Sequence, residues 1–199
     1  LDGPMNNSCA HLLNLACFLS GTTIDGFSKP TVVQGELYRA APTESEDTDC
    51  VRSLMESGVR VCLHLTQAAR RSYPRVLVVT GESGQARFSD AEGITFSDGR
   101  FFPASTCNLS GVLMKSFITS LLASQSPTTM TLSNAEGFVL MSNGAYESSQ
   151  TVHAIPMKFI EEIQEDDGLG WHIIGIEDIM KSAVLDGLLL SETGVPWGY

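Results

Sequence analysis

Five cysteines, four histidines and twenty-three acidic side chains are the groups in this sequence suited to bond chemistry. A cysteine becomes a nucleophile when a base or a cation favours its thiolate. It serves phosphoryl transfer when an arginine fork stands close enough to hold the oxyanions. The cysteines here are Cys9, Cys17, Cys50, Cys62 and Cys107. An odd number without CxxC pairs argues against both a disulfide framework and a structural zinc site, and fits a reducing, cytoplasmic compartment. The histidines His11, His64, His153 and His172 show no HExxH or HxxxH spacing, so neither a metal site nor a cofactor is expected. Glu161, Glu162, Glu165, Asp166 and Asp167 could attract a cation, but they lack a calcium-loop pattern and read as the solvated face of a helix. Gly81-Glu82-Ser83-Gly84 misses a nucleophile elbow because Gln85 stands where glycine is needed. Arg70, Arg71 and Arg75 form the one basic cluster.

These groups sit on a chain of 199 residues, long enough for one domain with a core, and the expectation is a single domain over 1–199. Twelve basic residues against twenty-three acidic ones give a net charge of −11, which excludes a phosphate-binding nucleic-acid partner. No apolar run reaches the ~18 residues of a membrane span, so no membrane partner is expected. Cys9–Leu19 is apolar like the core of a signal peptide, but Asp2 stands where positive charge belongs. Residues 1–13 are read as a tag or flexible N-terminus, with Leu1–Pro4 lying ahead of Met5.

The patterning predicts strands over Thr31–Tyr38, Val59–Leu65, Arg75–Val79 and Thr128–Leu132, with hairpins through Thr80–Pro103. Helices are predicted over Glu44–Ser57, Ser110–Ser124, Pro156–Asp167, Trp171–Ile174 and Glu177–Leu190. Pro42-Thr43 followed by acids opens the first of these, and Gly58 stops it. Leu37, Val61, Leu63, Leu77 and Val79 are the predicted core of the strands, faced by Leu113, Phe117 and Leu121 from a helix. Ser133–Gly137 carries a turn signal. This order predicts an α/β fold, a mixed central sheet flanked by helices with a helical C-terminal end. Residues 191–199 form a tail in which Pro196, Trp197 and Tyr199 either fold back into a groove or anchor a protein partner.

The N-terminal third resembles a known family. Asn14-Leu15, Gly21, Asp25-Gly26 and Gly35-Glu36-Leu37-Tyr38-Arg39-Ala40-Ala41 are similar to the opening of atypical, dual-specificity-type tyrosine phosphatases. Glu44–Gly58 with Val59–Leu65 resembles that family's next helix and strand, and Phe159–Gly168 with Gly175–Leu190 its closing helices. The resemblance implies a phosphatase-like sheet and a catalytic cysteine six positions before an arginine. No arginine here has a cysteine at that distance, and Arg100 is the last arginine in the chain.

By order, Ser133, Asn134, Ala135, Glu136 and Gly137 occupy the family's phosphate loop, with Ser133 at the nucleophile position and Val139 at the arginine position. Glu136 would oppose an anion there. The resemblance therefore implies an inactive pseudophosphatase, not an enzyme, acting as a scaffold or structural subunit through protein contacts. The alternative is a hydrolase whose chemistry has moved to carboxylates such as Glu136 or Asp98.

Overall fold

β-branched and aromatic residues run through Pro30–Arg39, and this segment becomes the central strand of the first of two compact units. The computed structural model describes residues 3–23, 26–106, 108–124, 131–166 and 168–199. Leu1–Ser72 and Glu136–Tyr199 form the first unit, and Tyr73–Ala135 the second. In chain order the elements are α1 (Ala10–Leu19), β1 (Pro30–Arg39), β2 (Thr48–Met55), β3 (Arg60–Thr66), β4 (Val76–Gly81), β5 (Gly84–Ser89), β6 (Gly93–Phe96) and β7 (Phe101–Pro103). Then come α2 (Leu109–Leu122), α3 (Glu136–Ser149), β8 (Val152–Ala154), β9 (Ile160–Glu165), β10 (Gly168–Ile173) and α4 (Ile176–Asp186).

In the first unit the sheet runs β3-β2-β1-β8. The first three strands are antiparallel, and β8 joins β1 in parallel. The helix expected at Glu44–Ser57 is therefore replaced by β2. Thr48, Cys50 and Val51 suit a pleated strand, and pairing on both edges buries them, which outweighs the helix-start signal of the acids. Gly58 ends no helix; it turns the β2–β3 hairpin with φ +83°.

Successive side chains of β1 divide between two covered faces. On one face α3 lies so close that a Cβ on Gly35 would come within 2.7 Å of the Ala145 Cα. The Ser148 and Ser149 hydroxyls at the end of α3 accept the Gly35 and Leu37 N–H groups at 2.9 and 3.0 Å. On the other face Tyr38, Cys50, Ile160, Ile173, Met180 and Trp197 belong to one buried cluster.

The closing helix expected at Pro156–Asp167 is instead a 3-10 turn, Met157–Phe159, followed by β9, while Asp167 lies outside the described residues. Trp171–Ile174, also expected to be helical, belongs mostly to β10. Ile160 and Ile173 pair across this hairpin and are both buried, so β-branched pairing decides the local structure. The N-terminal segment expected to be loose packs instead: Met5 and Leu13 are fully buried, and the Met5 N–H donates to Asp49 Oδ2 at 3.0 Å.

The second unit is an antiparallel meander ordered β4-β5-β6-β7, together with α2. Leu77, Phe88, Ile94 and Phe102 align across it on one face. Leu77 is half-buried and Val79 exposed, so neither is the fully buried core residue expected. Leu113, Phe117 and Leu121 fall on α2 as the periodicity predicts, but they too are exposed rather than buried in a core. Most of the strand predicted at Thr128–Leu132 lies outside the described residues.

Candidate functional site

The residues expected to form a degenerate phosphate loop do not build a cradle. Ser133–Ala135 make one 3-10 turn, held by Thr131 Oγ1 at 2.8 Å from Ser133 Oγ. Glu136 and Gly137 open α3. Glu136 is ion-paired to Lys29 at 2.6 Å, and Gly137 is buried against the Ser28 carbonyl and the Cys17 side chain. Asp98, the other carboxylate considered for hydrolysis, accepts the Arg100 N–H and Nε at 3.0 and 2.8 Å in a surface turn. Both carboxylates are thus taken up locally.

The tail folds back. Trp197 is buried with its ring edge-on to Tyr38 at 5.3 Å, and Tyr199 stacks on His153 at 4.4 Å while its N–H donates to the Tyr38 hydroxyl. Pro196 is exposed. His11 is exposed on α1, and His172 lies between the Ala69 carbonyl and Glu165. His64 Nε2 meets Cys50 Sγ at 3.0 Å and the Leu188 carbonyl at 2.9 Å. Burial lowers the His64 pKa and raises that of the Cys50 thiol, so the pair is neutral and the thiol is a poor nucleophile. Among the described residues no group of three or more acidic, histidine or cysteine side chains could hold a metal ion. Nor is any described helix long and apolar enough to cross a membrane.

Polar chemistry collects instead at one end of the sheet. The β1–β2 loop contributes Ala41, Thr43, Ser45, Glu46 and Asp47; the end of β3 contributes Gln67 and Ala68; Trp171 comes from β10. Together they line a recess of about 210 Å³. Asp47 folds its own loop, because Oδ2 accepts the Ala40 and Ala41 N–H groups at 2.7 and 2.9 Å and Oδ1 accepts the Thr48 hydroxyl at 3.0 Å. Burial nevertheless raises its pKa above the ordinary aspartate value.

Glu46 Oε2 accepts the Ser45 hydroxyl at 2.7 Å and also the Tyr146 hydroxyl, while Oε1 is buried without a hydrogen-bond partner. Asp49, two residues beyond Asp47 on β2, is fully buried. Burial first, and the Glu46 charge second, push its carboxyl up to about 8. Gln67 Nε2 reaches the Ser8 hydroxyl at 3.4 Å, bringing the start of α1 to the same end of the sheet. Trp171 rests against the buried cluster behind it. Sequence reasoning passed over these residues. Glu46 and Asp47 looked like the acidic first turn of a helix, and Trp171 like a helical residue; only strand pairing brings the two segments together.

By fold, the chain is similar to dehydrogenases and other oxidoreductases. The UDP-N-acetylglucosamine 3-dehydrogenase of Acidithiobacillus ferrooxidans matches with a TM-score of 0.57 at 14% identity, over 74% of this chain and 46% of that one. A dehydrogenase of Bordetella pertussis, solved with NADH and UDP-GlcNAcA, matches with a TM-score of 0.55 at 17% identity, over 75% and 44%. The aldose-aldose oxidoreductase of Caulobacter crescentus, complexed with glycerol, matches with a TM-score of 0.52 at 15% identity, over 70% and 43%. The chain therefore spans less than half the length of these structures. No protein-family model matches the sequence, and no curated protein matches it.

These likenesses overturn the phosphatase resemblance, and with it the readings of an inactive scaffold and of a non-enzyme. The physical reason is visible in the fold. Two segments that carried the resemblance as helices, Glu44–Ser57 and Phe159–Gly168, are largely strands.

The oxidoreductase likeness raises the question of a nicotinamide dinucleotide. Such cofactors lie over a glycine-rich turn between a parallel strand and a helix. Gly168-Leu169-Gly170, the one G-x-G in the sequence, lies inside antiparallel β10. Gly175 does lead from β10 into α4, but Glu177 and Asp178 put two carboxylates in the first turn, where a pyrophosphate would have to sit. The described residues do not fit a dinucleotide.

Proposed function

We propose that this chain is the substrate-side portion of an NAD-dependent oxidoreductase, and that the dinucleotide site lies outside these residues. The observation that carries the reading is the fold itself. It matches oxidoreductases over less than half their length, and among the described residues the sheet that carries β1 is mostly antiparallel and no dinucleotide turn is present. The solved structures named above act on or contain sugars and polyols by their descriptions, which supports a polyhydroxylated substrate here. The recess supports it too, with carboxylate, amide and hydroxyl groups beside an indole, the mixture of few polar groups and an apolar wall that ligand sites use.

Calorimetric titration of the 199-residue chain tests the reading. A polyol or monosaccharide should give a saturable heat, and NADH should give none up to millimolar concentration. Stoichiometric NADH binding would refute the division of labour.

A further inference from the structure

Resting on that reading, we propose that the recess between the β1–β2 loop and Trp171 takes a single uncharged polyhydroxylated ring and rejects anionic sugars, uronates and nucleotide sugars alike. Size is the first argument. About 210 Å³ is less than the ~300–1,000 Å³ of sites for drug-sized ligands, and leaves room for one ring but not for a ring with a nucleotide.

Charge is the second argument. Glu46 and Asp47 line the recess, and among the described residues no lysine, arginine or histidine does. Arg39, at the end of β1, donates to the Thr43 carbonyl and is not among the lining residues. The Ala40 and Ala41 amides of the same loop are both taken by Asp47. A carboxylate or phosphate entering here meets the Glu46 and Asp47 side chains in a partly dry setting, with no cation among the described lining residues.

Hydrogen-bond capacity is the third argument. Glu46 is 3% exposed and its Oε1 is closed off against Gly3, so the acceptors a ligand meets are the other oxygens of the lining. Neutral hydroxyl groups are donors that satisfy such acceptors without adding charge. Thr43, Ser45 and Gln67 supply further polar contacts, and the Trp171 ring offers a flat apolar wall for the C–H face of a sugar.

Tryptophan fluorescence gives the test, because the chain has two tryptophans and Trp197 is buried against Tyr38. The 199-residue chain is titrated with glucose, galactose and sorbitol, then with glucuronate, galacturonate, glucosamine and UDP-glucose. At least one neutral ligand should give a saturable change that Trp171→Phe abolishes, while the remaining Trp197 emission reports an intact fold. The matching uronate should bind at least tenfold more weakly, and protonated glucosamine at least as well as glucose. Glu46→Gln should narrow the gap between neutral sugar and uronate. Gln67→Ala, at an exposed position, should weaken the neutral ligand severalfold even if the Glu46 variant fails to fold.

A uronate or UDP-glucose that binds as tightly as the neutral sugars overturns the charge rule and leaves the substrate-side reading standing. Failure of every carbohydrate to bind the folded protein overturns both.

Discussion

Asp49→Asn asks whether the sheet of the first unit carries a buried proton. Asp49 is fully buried; Oδ2 accepts the Met5 N–H, and Oδ1 meets no partner. With its carboxyl pushed up to about 8 by burial, by Glu46 and to a lesser degree by Asp47, the folded chain holds a proton that the unfolded chain releases near pH 3.9. That contribution to stability is complete below pH ~3.9 and is lost as pH rises through about 8.

A gap of about four pH units at 1.36 kcal/mol each sets a ceiling near 5.5 kcal/mol. Relaxation and water entry bring the observable loss to about 2–5 kcal/mol. His64 acts in the opposite sense, since burial lowers its pKa and its contribution grows as pH rises through ~6.5. The difference between wild type and Asp49→Asn removes that background. Asparagine keeps an acceptor for Met5 and has no proton to lose. Urea denaturation of both proteins at pH 5, 6.5 and 8 should therefore show the wild-type advantage shrinking steadily with pH. A difference constant to within ~0.5 kcal/mol from pH 5 to 8, the ordinary scale of a neutral surface change, would refute the reasoning.

Gly35→Ala should destabilise the protein by about 1–3 kcal/mol in the same assay, because the new methyl meets the Ala145 backbone rather than a side chain that can swing aside. Leu63→Ala should cost about 2–5 kcal/mol, whereas Leu113→Ala on exposed α2 should change stability by no more than ~0.5 kcal/mol; equal costs would contradict the burial pattern. Cys17 and Cys50, whose pKa values burial raises, the former to about 11, should resist iodoacetamide at pH 8 in the native protein; modification of either before unfolding, detected by peptide mass mapping, would contradict their placement.

Period-2 patterning made β1 and β3 legible, since Leu37, Val61 and Leu63 alternate with polar neighbours and are buried as expected. The 3.6 period likewise exposed α2. It said nothing about what α2 covers, and Leu113 and Phe117 show that amphipathicity alone does not bring burial. β2 was hidden because its loop carries acids in the pattern of a helix start, although Asp47 uses its carboxylate to tie the Ala40 and Ala41 amides. β9 was hidden because Glu161, Glu162 and Glu165 suggest a solvated helix, a pattern that an exposed hairpin satisfies equally well.

α3 was missed altogether. Its residues 136–149 include Gly137 and Gly144, poor helix formers that are kept for close packing against Ser28 and Val33. The recess was illegible for a further reason. Glu46 and Trp171 are far apart in sequence and meet only through the folded sheet.

The division of the first unit into two stretches of chain has a consequence for how the protein comes to fold. β1, β2 and β3 are contiguous in sequence and can pair as soon as they leave the ribosome, but α3 and β8 arrive only after the whole second unit has been synthesised. Until then the Gly35 and Leu37 face of β1 lacks its helix, and the β1 edge that β8 later occupies lacks its strand. Such a half-built sheet exposes apolar surface and an unpaired edge, the two features that recruit chaperones or other nascent chains. The delay is kinetic, not energetic. Closing a flexible loop costs only ~0.6 kcal/mol more for each doubling of its length, so an excursion of this size burdens the finished fold little while it lengthens the search for it.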